Sequence, residues 1–119
     1  MPRAVDGAKR KNHRRKILKL AKGYWGRRHS NYKTAKDAVT KGLFYAYRDR
    51  KDRKANFRRL WIIRINAACR TEGISYSRLI AGLAKAGVSI NRKALAYLAL
   101  GDADAFKAVV GQAKIALGD

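Results

Sequence analysis

The stretch Tyr45–Trp61, YAYRDRKDRKANFRRLW, limits what this chain can fold into more than any other. It has no glycine or proline and few β-branched residues, so nothing in it opposes a helix. Yet it does not read as a helix lying on its own core. At about 100° per residue, with Arg48 at zero, Arg59 falls at about 20°, Arg53 at about 140° and Arg64 at about 160°. Arg50 then falls at about 200°, Lys54 at about 240°, Arg58 at about 280° and Lys51 at about 300°. Cations cover roughly two-thirds of the circumference, whereas a core-facing helix keeps its charges on one side. Such a helix requires anions in many directions, and RNA folded around it supplies them. The cation-poor sector carries Tyr45, Asp49, Asp52, Asn56, Leu60 and Ile63. It is read as a side that avoids phosphate, as the product of i,i+4 pairing of Asp49 with Arg53 and Asp52 with Arg48, or as both.

Charge is unequally divided along the 119 residues. Residues 1–60 hold 21 Lys and Arg against 4 acids, a net of +17, while residues 61–119 hold 8 against 4, a net of +4. The first half repels itself in water and needs a polyanion to hold one shape. The second is rich in Ala, Leu, Ile and Val and is able to bury a core, though about 60 residues is a marginal size. The expected architecture is all-α: a long basic N-terminal helical extension over 1–60 and a small compact helical domain over 61–119. Cys69 is the only cysteine, so no disulfide forms within the chain, and its apolar helical setting suits a small core residue. No apolar run is long enough for a membrane span, and no secretory leader precedes the basic run.

In chain order, Met1–Gly7 reads as an irregular tail and Ala8–Lys22 as a helix. Gly23-Tyr-Trp-Gly26 interrupts it. Tyr24 and Trp25 beside Arg27 and Arg28 either stack on unpaired bases while the cations hold phosphate, or pack on the long helix. Ser30 or Asn31 can cap that helix, which runs from Tyr32 to Glu72 with a possible bend at Gly42. Its length is about 60 Å at about 1.5 Å per residue. Gly73 stops it. Phe57, Trp61, Ile65, Ala68 and Cys69 form the first wall of the C-terminal core. Ser75, Asn91 and Asp102 cap three further helices, with Gly87 and Gly101 as stops. Their inward residues are Tyr76, Leu79, Ile80 and Leu83, then Leu95, Leu98 and Ala99, then Phe106, Val109, Val110, Ala113 and Leu117.

The chain offers little for catalysis. His13 and His29 lie in the basic arm without Cys or carboxylate neighbours at metal-ligand spacing. No phosphate loop or calcium loop is present, so neither metal nor cofactor is expected. Nucleic-acid binding is the strong signal, because Tyr24, Trp25, Tyr32, Phe44, Tyr45, Tyr47 and Phe57 interleave with the cations. Arg10, Arg14, Arg15 and Lys19 of the first basic run are candidate contacts. DNA is the lesser reading, since no heptad seam follows the basic helix and the later helices carry little charge.

The segments Lys19–Arg28 (KLAKGYWGRR), Tyr45–Arg50 (YAYRDR), Phe57–Ala68 (FRRLWIIRINAA) and Gly73–Ser77 (GISYS) resemble the L-twenty family of bacterial large-subunit ribosomal proteins. The likeness covers essentially the whole chain in order. It implies a ribosomal place in the cytoplasm or an organelle, with 23S rRNA and neighbouring large-subunit proteins as partners. It also implies an early part in subunit assembly and no part in peptide-bond chemistry. In some members the C-terminal domain also represses translation by binding the leader of its own messenger. Carried over by motif, RNA contacts fall at Lys22, Gly23, Tyr24, Arg27 and Arg28. In the long helix they fall at Tyr47, Arg48, Arg50, Lys51, Arg53, Lys54, Arg58 and Arg59. The C-terminal domain adds Arg64, Asn66, Tyr76, Ser77 and Arg78. Asp6, Ile63 and Cys69 depart from the usual family pattern, and Asp6 argues against phosphate contact in the first seven residues.

Overall fold

The computed structural model describes residues 7–118; most of the tail expected at Met1–Gly7, including Asp6, lies outside them. Five α-helices and one short 3₁₀ turn account for the described residues, with no strand among them. The fold class is all-α. The helices are α1 (Gly7–Leu20), α2 (Tyr32–Thr71), α3 (Tyr76–Lys85), α4 (Arg92–Gly101) and α5 (Ala103–Leu117). The chain divides into two compact units, with the boundary between Lys51 and Asp52 inside α2.

The first unit is built on very few apolar side chains. α1 has no buried residue, because its apolar positions come only at its end. Ala21, just past α1, is buried together with Ala35 and Val39 of α2, and Leu18 and Tyr24 pack beside them. Two alanines in this cluster allow close approach of the backbones. Gly42 has the same function: a Cβ there would lie 2.7 Å from the Tyr24 hydroxyl oxygen. The glycine expected to bend the helix instead makes room for a ring, and α2 runs unbroken through it.

In the second unit the core joins Ile65 and Cys69 of α2 to Ile74, to Leu79 and Leu83 of α3, to Leu95 and Ala96 of α4, and to Phe106, Val110 and Ala113 of α5. Each of the three short helices begins at a polar cap. Ser75 accepts from the Arg78 N–H, Asn91 from Ala94 and Asp102 from Ala105. Each bond satisfies one amide that the first helical turn leaves without a partner. Gly73 and Gly87 take φ of 70° and 69° where the preceding helices stop, a conformation that disfavours any side chain. Gly101 is helical and closes α4, and Asp102 comes next as the cap of α5.

Phe57 departs from expectation. It shares the phase of Trp61 and Ile65 but remains 49% exposed, with its ring 6.2 Å from that of Trp61. The packed wall starts at Trp61, where the side chains of the later helices first reach α2.

Candidate nucleic-acid interface

On the first unit the cations stand outward. Arg10, Arg14, Arg15 and Lys19 of α1 are exposed, and the Arg14 guanidinium carbon lies 5.2 Å from the centre of the Tyr32 ring. The peptide after α1 turns at Gly23, with φ of 88°, and again at Gly26, with φ of 65°. Lys22 precedes this turn, and Arg27 and Arg28 come after it within the 3₁₀ turn Gly26–His29. All three are exposed. The two rings separate here. Tyr24 turns inward onto the small apolar cluster, while Trp25 is 89% exposed. His29 Nδ1 donates to the Tyr24 carbonyl oxygen at 3.0 Å and ties the loop.

Farther along α2, cations sit against aromatic faces. Arg48 lies 4.7 Å from the Tyr45 ring centre and Lys51 4.4 Å from that of Tyr47. Contacts of this kind are attractive through the ring quadrupole, and they hold long side chains beside flat surfaces able to stack on bases. Lys41, one turn before Tyr45, lies 5.1 Å from its ring. The i,i+4 spacing of Lys41 and Tyr45 carries that signal, yet Lys41 is absent from the candidate contacts named from the sequence. Arg50 of this unit is exposed too. The i,i+4 pairs expected for the two acids do not form. Arg48 instead holds its chain neighbour Asp49 at 2.9 Å. Both side chains are more than half exposed, so this ion pair adds little stability.

In the second unit Arg53, Lys54, Arg58 and Arg59 are exposed around the start of its portion of α2, as is Arg64 farther on. Asn66 is half-buried, and so is Tyr76, whose hydroxyl accepts a 2.7 Å hydrogen bond from Arg92 Nε. Ser77 and Arg78 are exposed in the first turn of α3. A shallow groove of about 540 Å³ runs between α2 and α4, lined by Trp61, Arg64, Asn91, Lys93 and Tyr97 among others. Sequence spacing gave no signal for Arg92, because its bond to Tyr76 crosses a tertiary contact, nor for Lys93 as part of the groove lining.

The described residues contain no buried polar or charged side chain and no group of three or more His, Cys, Asp or Glu placed to hold a metal. No helix among them is long and apolar enough to cross a membrane. Burial pushes the Cys69 thiol up to about 11, which keeps it protonated and unreactive near neutral pH.

The family model for ribosomal protein L20 matches residues 3–109. This chain belongs to the ribosomal protein L20 family. L20 relatives match nearly the whole of it. The large ribosomal subunit protein bL20 of Bacteroides fragilis is 57% identical over 116 residues, 98% of this chain and 100% of the relative. That of Levilactobacillus brevis is 56% identical over 117 residues, 98% of each chain. That of Treponema denticola is 54% identical over 118, 99% of each. As an L20 family member the chain is a structural protein of the large ribosomal subunit and not an enzyme.

Proposed function

We propose that this chain binds 23S rRNA directly, with its basic extension over residues 1–60 and its helical domain over 61–119, and gathers distant rRNA segments early in subunit assembly. One observation carries the reading. The 21 cations of residues 1–60 face only 4 acids, and those described on α2 are exposed on most sides of the helix, several against aromatic rings. Phosphate wrapped around the helix satisfies that pattern, and a flat duplex does not. Each phosphate neutralised releases condensed counterions, so affinity falls by about 0.7–0.9 in log K per contact for each unit of log salt. The extension orders on its RNA and the cost is offset by those contacts. Neighbouring large-subunit proteins complete its surroundings. A messenger leader folded like the rRNA surface would occupy the same side chains of the C-terminal domain, which is the basis of self-repression in this reading.

The test is competition binding at one fixed salt concentration, with a large-subunit rRNA transcript against duplex DNA of equal length. Preference for the rRNA is the expected result. Equal or better binding to duplex DNA would favour a DNA-binding regulator and overturn the reading. A crosslinking map on assembling subunits then identifies the RNA segments joined.

A further inference from the structure

Among the described residues of the first unit, Trp25 is the one large ring left almost wholly in water, at 89% exposed. It is held there by construction. Its backbone is extended, with φ −70° and ψ 142°, between two glycines in the left-handed region. On one side the Tyr24 N–H donates to the Ala21 carbonyl oxygen at 3.2 Å, and the Tyr24 ring packs with the buried Ala21 and Val39. On the other side His29 grips the Tyr24 carbonyl oxygen, and the Asn31 N–H closes on the Arg27 carbonyl oxygen at 2.9 Å. An indole fixed outward in this way loses little freedom on binding, which is what a stacking platform needs.

The surroundings choose the occupant. Lys22, Arg27 and Arg28 stand within three residues of Trp25, and no acid occurs in the sequence between Asp6 and Asp37. A pocket in another protein would have to bury the ring beside three cations, at a desolvation cost. An unpaired base brings its own phosphates on either side and meets the ring with a π-face.

We propose that Trp25, rather than Tyr24, is the base-stacking ring of the turn after α1, taking an unpaired RNA base on its indole while Arg27 and Arg28 hold the flanking phosphates. This rests on the rRNA-binding reading above and specifies where within it an extruded nucleotide is held.

The experiment measures binding of the full chain to a large-subunit rRNA transcript over a range of salt, for wild type, Trp25→Ala and Trp25→Phe. A photoreactive phenylalanine analogue at position 25 gives a second readout. Trp25→Ala is expected to bind about 5- to 150-fold more weakly, the loss found on removing a stacking side chain, with an unchanged salt slope because no cation is lost. Trp25→Phe should retain most of the affinity, and the photoreactive chain should crosslink to a base. Far-UV circular dichroism should be unaltered. Wild-type affinity in Trp25→Ala, or a crosslink to protein in assembling subunits, overturns the inference alone. Absence of salt-dependent rRNA binding by the wild type overturns the general reading and this inference with it.

Discussion

Gly82 of α3 and Ala113 of α5 meet so closely that a Cβ on the glycine would lie 2.5 Å from the Ala113 carbonyl oxygen and 2.8 Å from its Cβ. Both atoms belong to a buried stretch of helix, so neither can swing aside. Gly82→Ala should therefore cost about 1–3 kcal/mol through overpacking, although alanine is the better helix former by about 1 kcal/mol. Gly111 is the control. It lies in the same α5 with nothing within 4 Å of a Cβ, and Gly111→Ala should stabilise by about 0.4–1 kcal/mol. Denaturant unfolding of the two variants checks both signs.

Salt titration separates phosphate contacts from idle charge. Arg53→Ala and Arg58→Ala should each lower the slope of log K against log salt by about 0.7–0.9 on the rRNA transcript. Lys85→Ala, at the exposed end of α3, should leave it unchanged. Equal slopes in all three variants would remove residues 53 and 58 from the interface.

Amide exchange reads the order of the first unit. Its apolar cluster has only Ala21, Ala35 and Val39 buried, and so small a cluster protects amides weakly. In the free protein residues 7–31 should exchange quickly, while α3 and α5 exchange slowly. Addition of the rRNA transcript should slow the former. Uniform strong protection across residues 7–60 without RNA would contradict folding on RNA.

Cys69 gives a pH dependence of known sign. Burial raises its thiol from 9.0 to about 11, so the folded state favours the neutral form. Its contribution to stability is complete below about pH 9, the value in the unfolded chain. It declines as the pH rises toward 11. Stability measured between about pH 8 and pH 11 should fall more steeply for the wild type than for Cys69→Ala, and a thiol reagent at about pH 8 should react only as fast as the protein opens.

Much of this fold could be read from punctuation. Ser75, Asn91 and Asp102 announced three helices, and Gly73 and Gly87 their boundaries, because caps and left-handed stops depend on residues within one turn of each other. The unbroken α2 followed from the absence of proline and the tolerance of one glycine. Tertiary reach was harder. Phe57 has the right phase, but phase alone does not say how far along a helix the core extends. The bond from Arg92 to Tyr76 joins positions 16 apart that no periodicity links. The 3₁₀ turn at Gly26–His29 is only four residues long and leaves no period to detect. Arg48 had two acids within reach, and its adoption of Asp49 is a choice of rotamer.

The caps at Ser75, Asn91 and Asp102 have a further consequence in time. Because each short helix of the second unit carries its own start signal, nucleation there depends on neighbours in sequence rather than on distant pairings, and folds of that kind assemble quickly. The second unit is made last, after the cationic stretch has left the translating ribosome. Its rapid closure hides the apolar side chains soon after they emerge and leaves little time for them to adhere to other half-made chains.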